Sequence, residues 1–441
     1  MATRKGFYAP ITAEVRAGRV DTATVLLEKA LADGKYAEKD RLLYYLDAGF
    51  LNHYAGRWEA SNQKLHLADA AADELFTKSV SKAAASLLLN DNALEYAGED
   101  YEVLYANLIS ALNYAELGKY EDAFVEVRRA NLQLDKLAAK YDDAARQFER
   151  KSPDDSTNIK IDYTADKVRF NNDAFARWLS MHMYAADGKY DDADIDYTLL
   201  IQAFEQQPHI YDFSPPPIRY RSDSGAVLSA VGLLGLAPTK EALSLRLRTD
   251  KDLGLVQILY DGPDSQDTEY SHLPIDVGAD LYFKFAIPQL VDRASEVATA
   301  QLYVNDVAYG DLSLLENVGR VSRETFAAKK SLVYLRTIAR TLAKSLATTK
   351  LKKKADTGGL AGWLKKAAID VAADLTENAD LRCSEYLPER ILIGDFELPP
   401  GSYDIKIVFR DHQGIEVRRR HIPEFDVGQG RFNLISASCP M

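Results

Sequence analysis

The sequence predicts a multidomain α+β protein. We expect an N-terminal array of α-helical hairpins, followed by a small antiparallel β-sandwich domain with a helical hairpin insertion. Three observations lead to this prediction. The chain has 441 residues, which is more than one domain of ordinary size. A glycine-centred phrase recurs in the first half, and the spacing of apolar residues changes from about 3.6 to 2 in the second half.

The recurring phrase joins a small or apolar residue, a glycine, a basic residue and an aromatic residue. It occurs at Gly34, Gly56, Gly118 and Gly188, with a weaker copy at Gly18. Because helical apolar patterns precede each glycine and follow most of them, the phrase predicts a left-handed glycine between two antiparallel helices. The clearest copies are Asn107–Leu134 and Phe175–Phe204. Such pairs resemble the tetratricopeptide repeat, so we assign residues 8–207 to a TPR-like helical domain.

The helical pattern ends at a proline-containing segment. Pro208 and the run Pro215–Pro217 cannot continue a helix and favour an extended connection. An apolar run follows at Val227–Leu236, and we interpret it as a short buried helix. Residues 208–240 are therefore predicted to be a linker that ends in this helix.

The remaining residues, 241–441, are predicted to form one α+β domain. Alternating apolar residues and turn signals predict β-strands within 253–310 and within 390–437. Between these two regions the helical period returns, so residues 320–378 are predicted to be the helical hairpin. The strands on either side would then form the small antiparallel sandwich.

The composition argues against several classes of protein. Lys and Arg number 54 against 66 Asp and Glu, which gives a formal net charge of −12. A field of this sign repels phosphate backbones, so we expect no nucleic-acid partner. The longest apolar runs are shorter than the ~20 residues that a membrane-spanning helix needs.

Neither a metal site nor a cofactor is predicted. Two cysteines are too few for a four-cysteine zinc site, and the seven histidines include no HExxH pair. No glycine-rich phosphate-binding loop occurs. Cys383 and Cys439 flank the last predicted β region, so they could form a disulfide or could remain two free thiols.

Polar and charged residues are concentrated on the predicted helical hairpins. They are Lys78, Lys82, Asn90, Asp91, Tyr96, Glu99, Asp100, Glu102, Arg128 and Arg129. Carboxylates and guanidinium groups at this density could form a charge-assisted network that holds irregular helices in register. The same groups could instead line a groove that captures a partner. This set is therefore the candidate partner-binding site.

A local excess of positive charge lies within the predicted helical hairpin. The candidate membrane-contact residues are Lys352, Lys353, Lys354, Trp363, Lys365 and Lys366. A basic amphipathic segment with a tryptophan is typical of surfaces that lie on anionic lipid. The alternative is a solvated hairpin tip whose lysines lie favourably near a helix C-terminus.

Several phrases spread over most of the chain carry a resemblance to a known family. They are Leu75–Lys82, Ser86–Asp91, Tyr96–Glu102, Ala111–Tyr114, Val125–Asn131 and Leu398–Asp404. Together they resemble bacterial tetratricopeptide-containing outer-membrane lipoproteins of unknown activity. The resemblance implies an exported protein that faces the periplasm, held at the membrane by an N-terminal lipid anchor. Since Met1–Gly6 are followed by no apolar signal region and no lipidated cysteine, a cytoplasmic location is the alternative.

The leading hypothesis is a non-catalytic interaction scaffold of the bacterial cell envelope. Concave helical surfaces would bind an extended or helical segment of a partner protein, in a multi-subunit assembly of envelope proteins. One alternative is a cell-wall or glycan-acting enzyme that uses Glu99 with Asp91 or Asp100 as a carboxylate pair. Another is a periplasmic protein that senses a small molecule bound near Pro215–Pro217.

Overall fold

The computed structural model describes residues 5–86, 92, 94–151, 169–222, 225–250, 255–260, 270–273, 282–327, 330, 333, 337 and 379–441. The α-helices are α1 (Tyr8–Arg16), α2 (Val20–Ala32), α3 (Arg41–Tyr54), α4 (Trp58–Ser86), α5 (Asp100–Glu116), α6 (Tyr120–Lys151), α7 (Ala174–Ala186) and α8 (Tyr190–Gln206). Residues 318–327 form a further helical segment. In the described part of the chain, no helix is long and apolar enough to cross a membrane.

The β-strands lie in the second half of the chain. They are β1 (Ala226–Leu234), β2 (Thr239–Asp250), β3 (Leu255–Tyr260), β4 (Tyr270–Leu273), β5 (Tyr282–Val291), β6 (Val297–Val304), β7 (Val307–Asn317), β8 (Arg390–Leu398), β9 (Gly401–Asp411), β10 (Glu416–Val427) and β11 (Asn433–Cys439). The mixed content of helix and sheet confirms the predicted α+β class.

The helices pair as antiparallel hairpins with one shared turn geometry. The pairs are α1 with α2, α3 with α4, α5 with α6 and α7 with α8. The turn glycines Gly18, Gly56, Gly118 and Gly188 have φ of 70 to 74°. In each turn the glycine N–H bonds the carbonyl three residues back, and the next N–H bonds the carbonyl five residues back. This left-handed glycine closure is the one that the recurring phrase predicts.

The prediction of a small sandwich is wrong, because the main sheet has seven strands and curls into a near-barrel. The strand order is β10-β9-β6-β7-β8-β1-β11, in which β1 and β11 run parallel and the other neighbours antiparallel. The two end strands, β10 and β11, contact each other. A second sheet, with order β4-β3-β2-β5, contains the strands between β1 and β6 in sequence.

The apolar run at Val227–Leu236 forms strand β1 and not the predicted short helix. Its residues alternate between two cores: Leu228 and Ala230 face the interior of the near-barrel, while Val231 and Leu233 face the helices. Because both faces are covered, the strand is apolar throughout and shows no polar alternation. A short run of this kind cannot be told from a buried helix by its periodicity.

In the second, third and fourth hairpins the first helix contacts a strand of the near-barrel. Helices α3 and α5 contact β11, and α7 contacts β7. One continuous core joins apolar residues of the inner helices α1, α3, α5 and α7 to Val231, Ile391, Ile393 and Leu434 of the sheet. The inner face of the helical array is therefore covered by the chain's own β-strands.

The predicted helical hairpin at 320–378 is described only at its beginning. The helical segment 318–327 continues from β7, and residues 330, 333 and 337 are also helical. The remainder of this prediction lies outside the described residues.

Candidate functional site

The ten candidate partner-binding residues do not form one cluster in the structure. Three of them are buried together, others lie elsewhere on the helices, and two lie outside the described residues. Tyr96, Glu99 and Glu102 are buried, with exposures of 4%, 3% and 0%. Arg128 and Arg129 are exposed on α6, away from that group. Asp100, the first residue of α5, is half-buried. Lys78 and Lys82 are on α4, whereas Asn90 and Asp91 lie outside the described residues.

The buried group surrounds an extended piece of chain that precedes β8. We call Arg382–Leu387 the connecting segment; it forms no strand, yet all six residues are buried. An extended backbone inside a protein needs partners for its N–H and C=O groups. Here those partners include side chains of the inner helices, as they would for a bound peptide.

Glu102 of α5 holds the middle of the connecting segment. Its Oε1 accepts the Ser384 N–H at 2.5 Å, and its Oε2 accepts the Tyr96 hydroxyl at 2.6 Å. The same Oε2 accepts the N–H of Glu99, the N-cap residue of α5, at 2.8 Å. One carboxylate therefore caps a helix and anchors the connecting segment.

Asp47 of α3 holds the next part of the connecting segment. Its Oδ1 accepts the Glu385 N–H and the Ser384 hydroxyl, both at 3.0 Å. Its Oδ2 accepts the hydroxyls of Tyr8 and Tyr36 at 2.7 and 2.8 Å. This carboxylate joins α1, the α2–α3 connection, α3 and the segment in one cluster.

Two buried cations balance the carboxylates of this interface. Lys240 of β2 forms an ion pair with Glu99, and its Nζ also donates to the Arg382 carbonyl at 3.0 Å. Arg382 binds Asp40 at 2.5 Å and Asp380 at 2.7 Å. The side chains of Arg382 and Asp40 are 3% and 0% exposed, so this pair is removed from water.

The protonation equilibria reflect this burial. Burial and the neighbouring charge of Glu99 raise the pKa of Glu102 to about 7. Burial also raises the pKa of Asp47 to about 7, although its hydrogen bonds oppose the change. Burial acts to lower the pKa of Lys240, but the charges of Glu99 and Asp380 outweigh it and leave that pKa raised. Burial acts to raise the pKa of Asp380, but the hydrogen bonds and the positive charge of Arg382 outweigh this effect. The pKa of Asp380 is therefore lowered to about 2.

Further polar contacts anchor the inner helices along the near-barrel. Arg420 of β10 makes two hydrogen bonds to Glu116 of α5, at 2.6 and 2.8 Å. Glu116 also accepts the Ser436 N–H of β11 at 2.7 Å, so it bridges the two end strands of the sheet. Asp395 of β8 accepts the Trp178 indole N–H of α7 at 3.1 Å.

The proline-containing segment near Pro215–Pro217 also joins the helices to the sheet. Tyr211 donates to Glu316 of β7 at 2.6 Å, and Tyr220 donates to Asp194 of α8 at 2.5 Å. Arg219 bonds Glu397 of β8 at 2.7 Å. These contacts hold the segment against α8 and against two strands of the near-barrel.

The possible disulfide is not formed, because Cys383 and Cys439 are free thiols in different surroundings. Cys383 lies in the connecting segment, where its Sγ accepts the Lys240 N–H at 3.4 Å. Cys439 ends β11 and packs in the apolar interior of the near-barrel. Burial raises the pKa of both thiols, that of Cys439 to about 12.

Membrane contact by Lys352, Lys353, Lys354, Trp363, Lys365 and Lys366 stays a prediction, since these residues lie outside the described part. Among the residues that the structure describes, no group of His, Cys, Asp and Glu side chains could hold a metal ion.

The buried network around Glu99 and Glu102 fits a structural role better than a role in acid–base catalysis. Glu99, one half of the carboxylate pair in the enzyme hypothesis, is ion-paired to Lys240 and almost without contact to solvent. A general acid or base must reach the proton of a bound substrate, and this side chain does not reach a surface. The network instead fixes the helices against the sheet.

Sequence reasoning found Tyr96, Glu99 and Glu102 but missed Asp47, Lys240 and Arg382, which complete their environment. The last two lie 141 or more positions from Glu99 along the chain. A charged residue inside an apolar pattern, such as Asp47 in Leu46-Asp47-Ala48, was the available signal. Its partners could not be identified without the fold.

Comparison of the chain with protein-family models, with curated proteins and with solved structures finds no match in any of the three. The resemblance to envelope lipoproteins therefore stays a prediction.

Proposed function

We propose that this protein is a non-catalytic interaction scaffold of the bacterial cell envelope, whose helical surface binds partner proteins in an outer-membrane or periplasmic assembly. One observation carries the proposal. Charged pairs and hydrogen bonds of buried residues, such as Lys240 with Glu99 and Arg382 with Asp40, connect the helical array to the β region. These buried contacts hold the helical array and the β region in a fixed arrangement, which we call the frame.

A frame of this kind supports binding at its outer surface. The chain's own near-barrel and connecting segment cover the inner face, which in a free helical array would be the groove for a partner. The outer helices α2, α4, α6 and α8 remain as the exposed helical surface. We therefore place partner binding on the outer helices and not in the predicted concave groove.

The envelope location comes from the resemblance of the sequence phrases. This resemblance implies export and an N-terminal lipid anchor. Cytoplasmic function is the alternative, and fractionation of cells that produce the native gene product distinguishes the two. The near-barrel would dock a second component of the same assembly.

The proposal is tested by reciprocal affinity capture from envelope extracts. The expected result is that this protein and the same few envelope proteins recover one another, while the purified protein leaves murein fragments and glycans unchanged. Capture of no common partner would overturn the scaffold function. Turnover of a murein fragment, lost on substitution of Glu99, would establish the enzyme alternative instead.

A further inference from the structure

Every outer helix exposes at least one large aliphatic side chain that the fold itself does not bury. Val25 of α2 is 67% exposed, Leu67 of α4 is 46%, Val125 of α6 is 45% and Ile195 of α8 is 58%. Single exposed aliphatic residues are ordinary on protein surfaces. Their recurrence on one layer of helices needs a separate reason.

Three of these residues occupy the same position in their hairpins. Val25, Val125 and Ile195 each follow the turn glycine of their hairpin by seven residues. Since the turns share one geometry, the three side chains lie at the same level of their helices. In α4 the equivalent residue is Gln63, and Leu67 lies one turn further along the same helix.

Side-chain contacts connect successive hairpins of the array and so bring their outer helices side by side. Arg57, in the turn before α4, binds Asp21 of α2 at 3.2 Å. His66 of α4 contacts Glu126 of α6 at 3.4 Å. The inner helix α7 packs on α6 through the Phe124 and Tyr184 rings, whose centroids are 4.8 Å apart. We use the name outer face for the surface formed by these four aliphatic residues and by the exposed acidic residues in the first turns of α2, α4, α6 and α8.

The charge of the outer face is negative where the outer helices begin. Exposed acidic residues in the first turns are Asp21, Glu59, Glu121, Asp122, Asp191 and Asp192. Of the bases that directly precede these first turns, Arg19 pairs with Glu14, Arg57 with Asp21 and Lys189 with Asp187, while Lys119 is exposed beside Glu121 and Asp122. Among the side chains that the structure describes, the exposed bases within the outer helices contact the array itself. Lys29 pairs with Asp33 at 2.8 Å, Arg129 pairs with Glu126 at 3.0 Å, and the Arg128 guanidinium lies 4.4 Å from the centre of the Phe124 ring.

We propose that the outer face docks a basic amphipathic helix of a partner protein. The inference rests on the proposed scaffold function and names the class of partner. The apolar side of such a helix would cover the aliphatic residues, and its Lys and Arg residues would meet the acidic first turns. A β-strand would find no free backbone edge on this surface, because helices bond their own N–H and C=O groups. An anionic membrane would be repelled by the acidic residues.

The test uses the full chain and a synthetic helix-forming peptide of leucine and lysine, with a leucine and glutamate peptide of the same apolar pattern as its counterpart. Fluorescence anisotropy is expected to show binding of the basic peptide only, weakened by salt. The double variant Val125→Ser with Ile195→Ser should bind it about tenfold or more weakly. The matched control, Val307→Ser with Ile415→Ser, alters side chains of 65% and 57% exposure in the β region and should bind as the parent does.

Equal binding of both peptides, or an equal effect of both double variants, would overturn the inference. So would binding of the basic peptide that does not change with Val125→Ser and Ile195→Ser. Retention of the envelope partners by that variant in affinity capture would show that the scaffold function survives while the outer face is not its docking site. If the parent protein also captures no envelope partner, the scaffold function itself is contradicted.

Discussion

Lys240 is the residue on which the buried charge balance of the helix–sheet interface depends. It neutralises Glu99 in a place where both side chains are at most 5% exposed. An ion pair withdrawn from water contributes little net stability, but removal of one partner leaves a buried charge without compensation.

We expect Lys240→Met to lower the free energy of unfolding by about 3–5 kcal/mol, because Glu99 loses its cation. The added change Glu99→Gln should recover part of that loss. The measurement is urea unfolding of the parent, the single variant and the double variant. Lys29→Met is the control, since its pair with Asp33 joins side chains that are 68% and 47% exposed, and it should lower the free energy of unfolding far less. A loss no larger for Lys240→Met than for the control would contradict the structural interpretation of Glu99.

Glu102 makes the stability of the interface depend on pH. Its pKa is raised to about 7 in the folded protein, so the folded state binds a proton more tightly than the unfolded chain does. The stability that this group contributes is complete below about pH 4.5 and is lost as pH rises through about 7. Glu102→Gln removes this titration.

The free energy of unfolding of the parent, minus that of Glu102→Gln, should therefore fall by about 3 kcal/mol between about pH 4 and pH 8. Urea unfolding of both proteins at several pH values gives this difference directly. Subtraction cancels the opposite trend from His53, whose burial lowers its pKa to about 4. A difference that rises with pH would mean that hydrogen bonds to Tyr96, Glu99 and Ser384 dominate the titration.

At this scale the sequence reveals which residues are unusual but not what they contact. Glu102 stands out because it follows Glu99 by three residues at the start of an apolar helix. Its partner Ser384 is 282 positions away and belongs to an extended segment without a periodic pattern. Contacts of this separation depend on the tertiary fold, so local propensity cannot supply them.

At the scale of elements, the hairpins are built from close helix crossings. In the second hairpin, Gly49 lets α3 approach α4: an added Cβ would lie 2.7 Å from Leu65 Cγ and closer still to its Cδ2. Alanine is the better helix former by about 1 kcal/mol, so an isolated helix would gain from Gly49→Ala. The crossing reverses this preference.

We expect Gly49→Ala to destabilise the protein by about 1–3 kcal/mol, because the new methyl group displaces Leu65. Thermal or urea unfolding measures the change. In a Leu65→Ala background the same substitution should cost less, since the obstructing side chain has been removed. An equal cost in both backgrounds would show that the close approach of α3 and α4 is not the cause.

The elements differ in how far the sequence predicts them. The hairpins follow from local signals, namely a glycine turn between two stripes of apolar residues, and the structure places helices on both sides of Gly118 and Gly188. Strand β1 was missed because each of its faces meets a different core. The near-barrel was missed because curvature and closure depend on pairing between distant strands, such as β1 with β11.

At the scale of the whole molecule, the helical array and the near-barrel form one body closed around the connecting segment. Helix side chains satisfy the segment's backbone groups: Ser384 N–H bonds Glu102, Glu385 N–H bonds Asp47, and Tyr386 C=O accepts the Tyr54 hydroxyl at 2.7 Å. In such a body the outer helices remain exposed, and we propose that partner proteins bind to them.

Hydrogen exchange at the amides of Ser384 and Glu385 tests this closed body most directly. The two amides donate to side chains, Ser384 N–H to Glu102 of α5 and Glu385 N–H to Asp47 of α3, and not to backbone carbonyls of a strand or helix. Their protection therefore depends on the burial of the connecting segment against these helices. We predict that these two amides exchange as slowly as those in the middle of α5, through unfolding of the whole molecule. Exchange as fast as in an exposed turn such as Asp411–Gly414 would show that the segment leaves the helices readily, and would contradict the account.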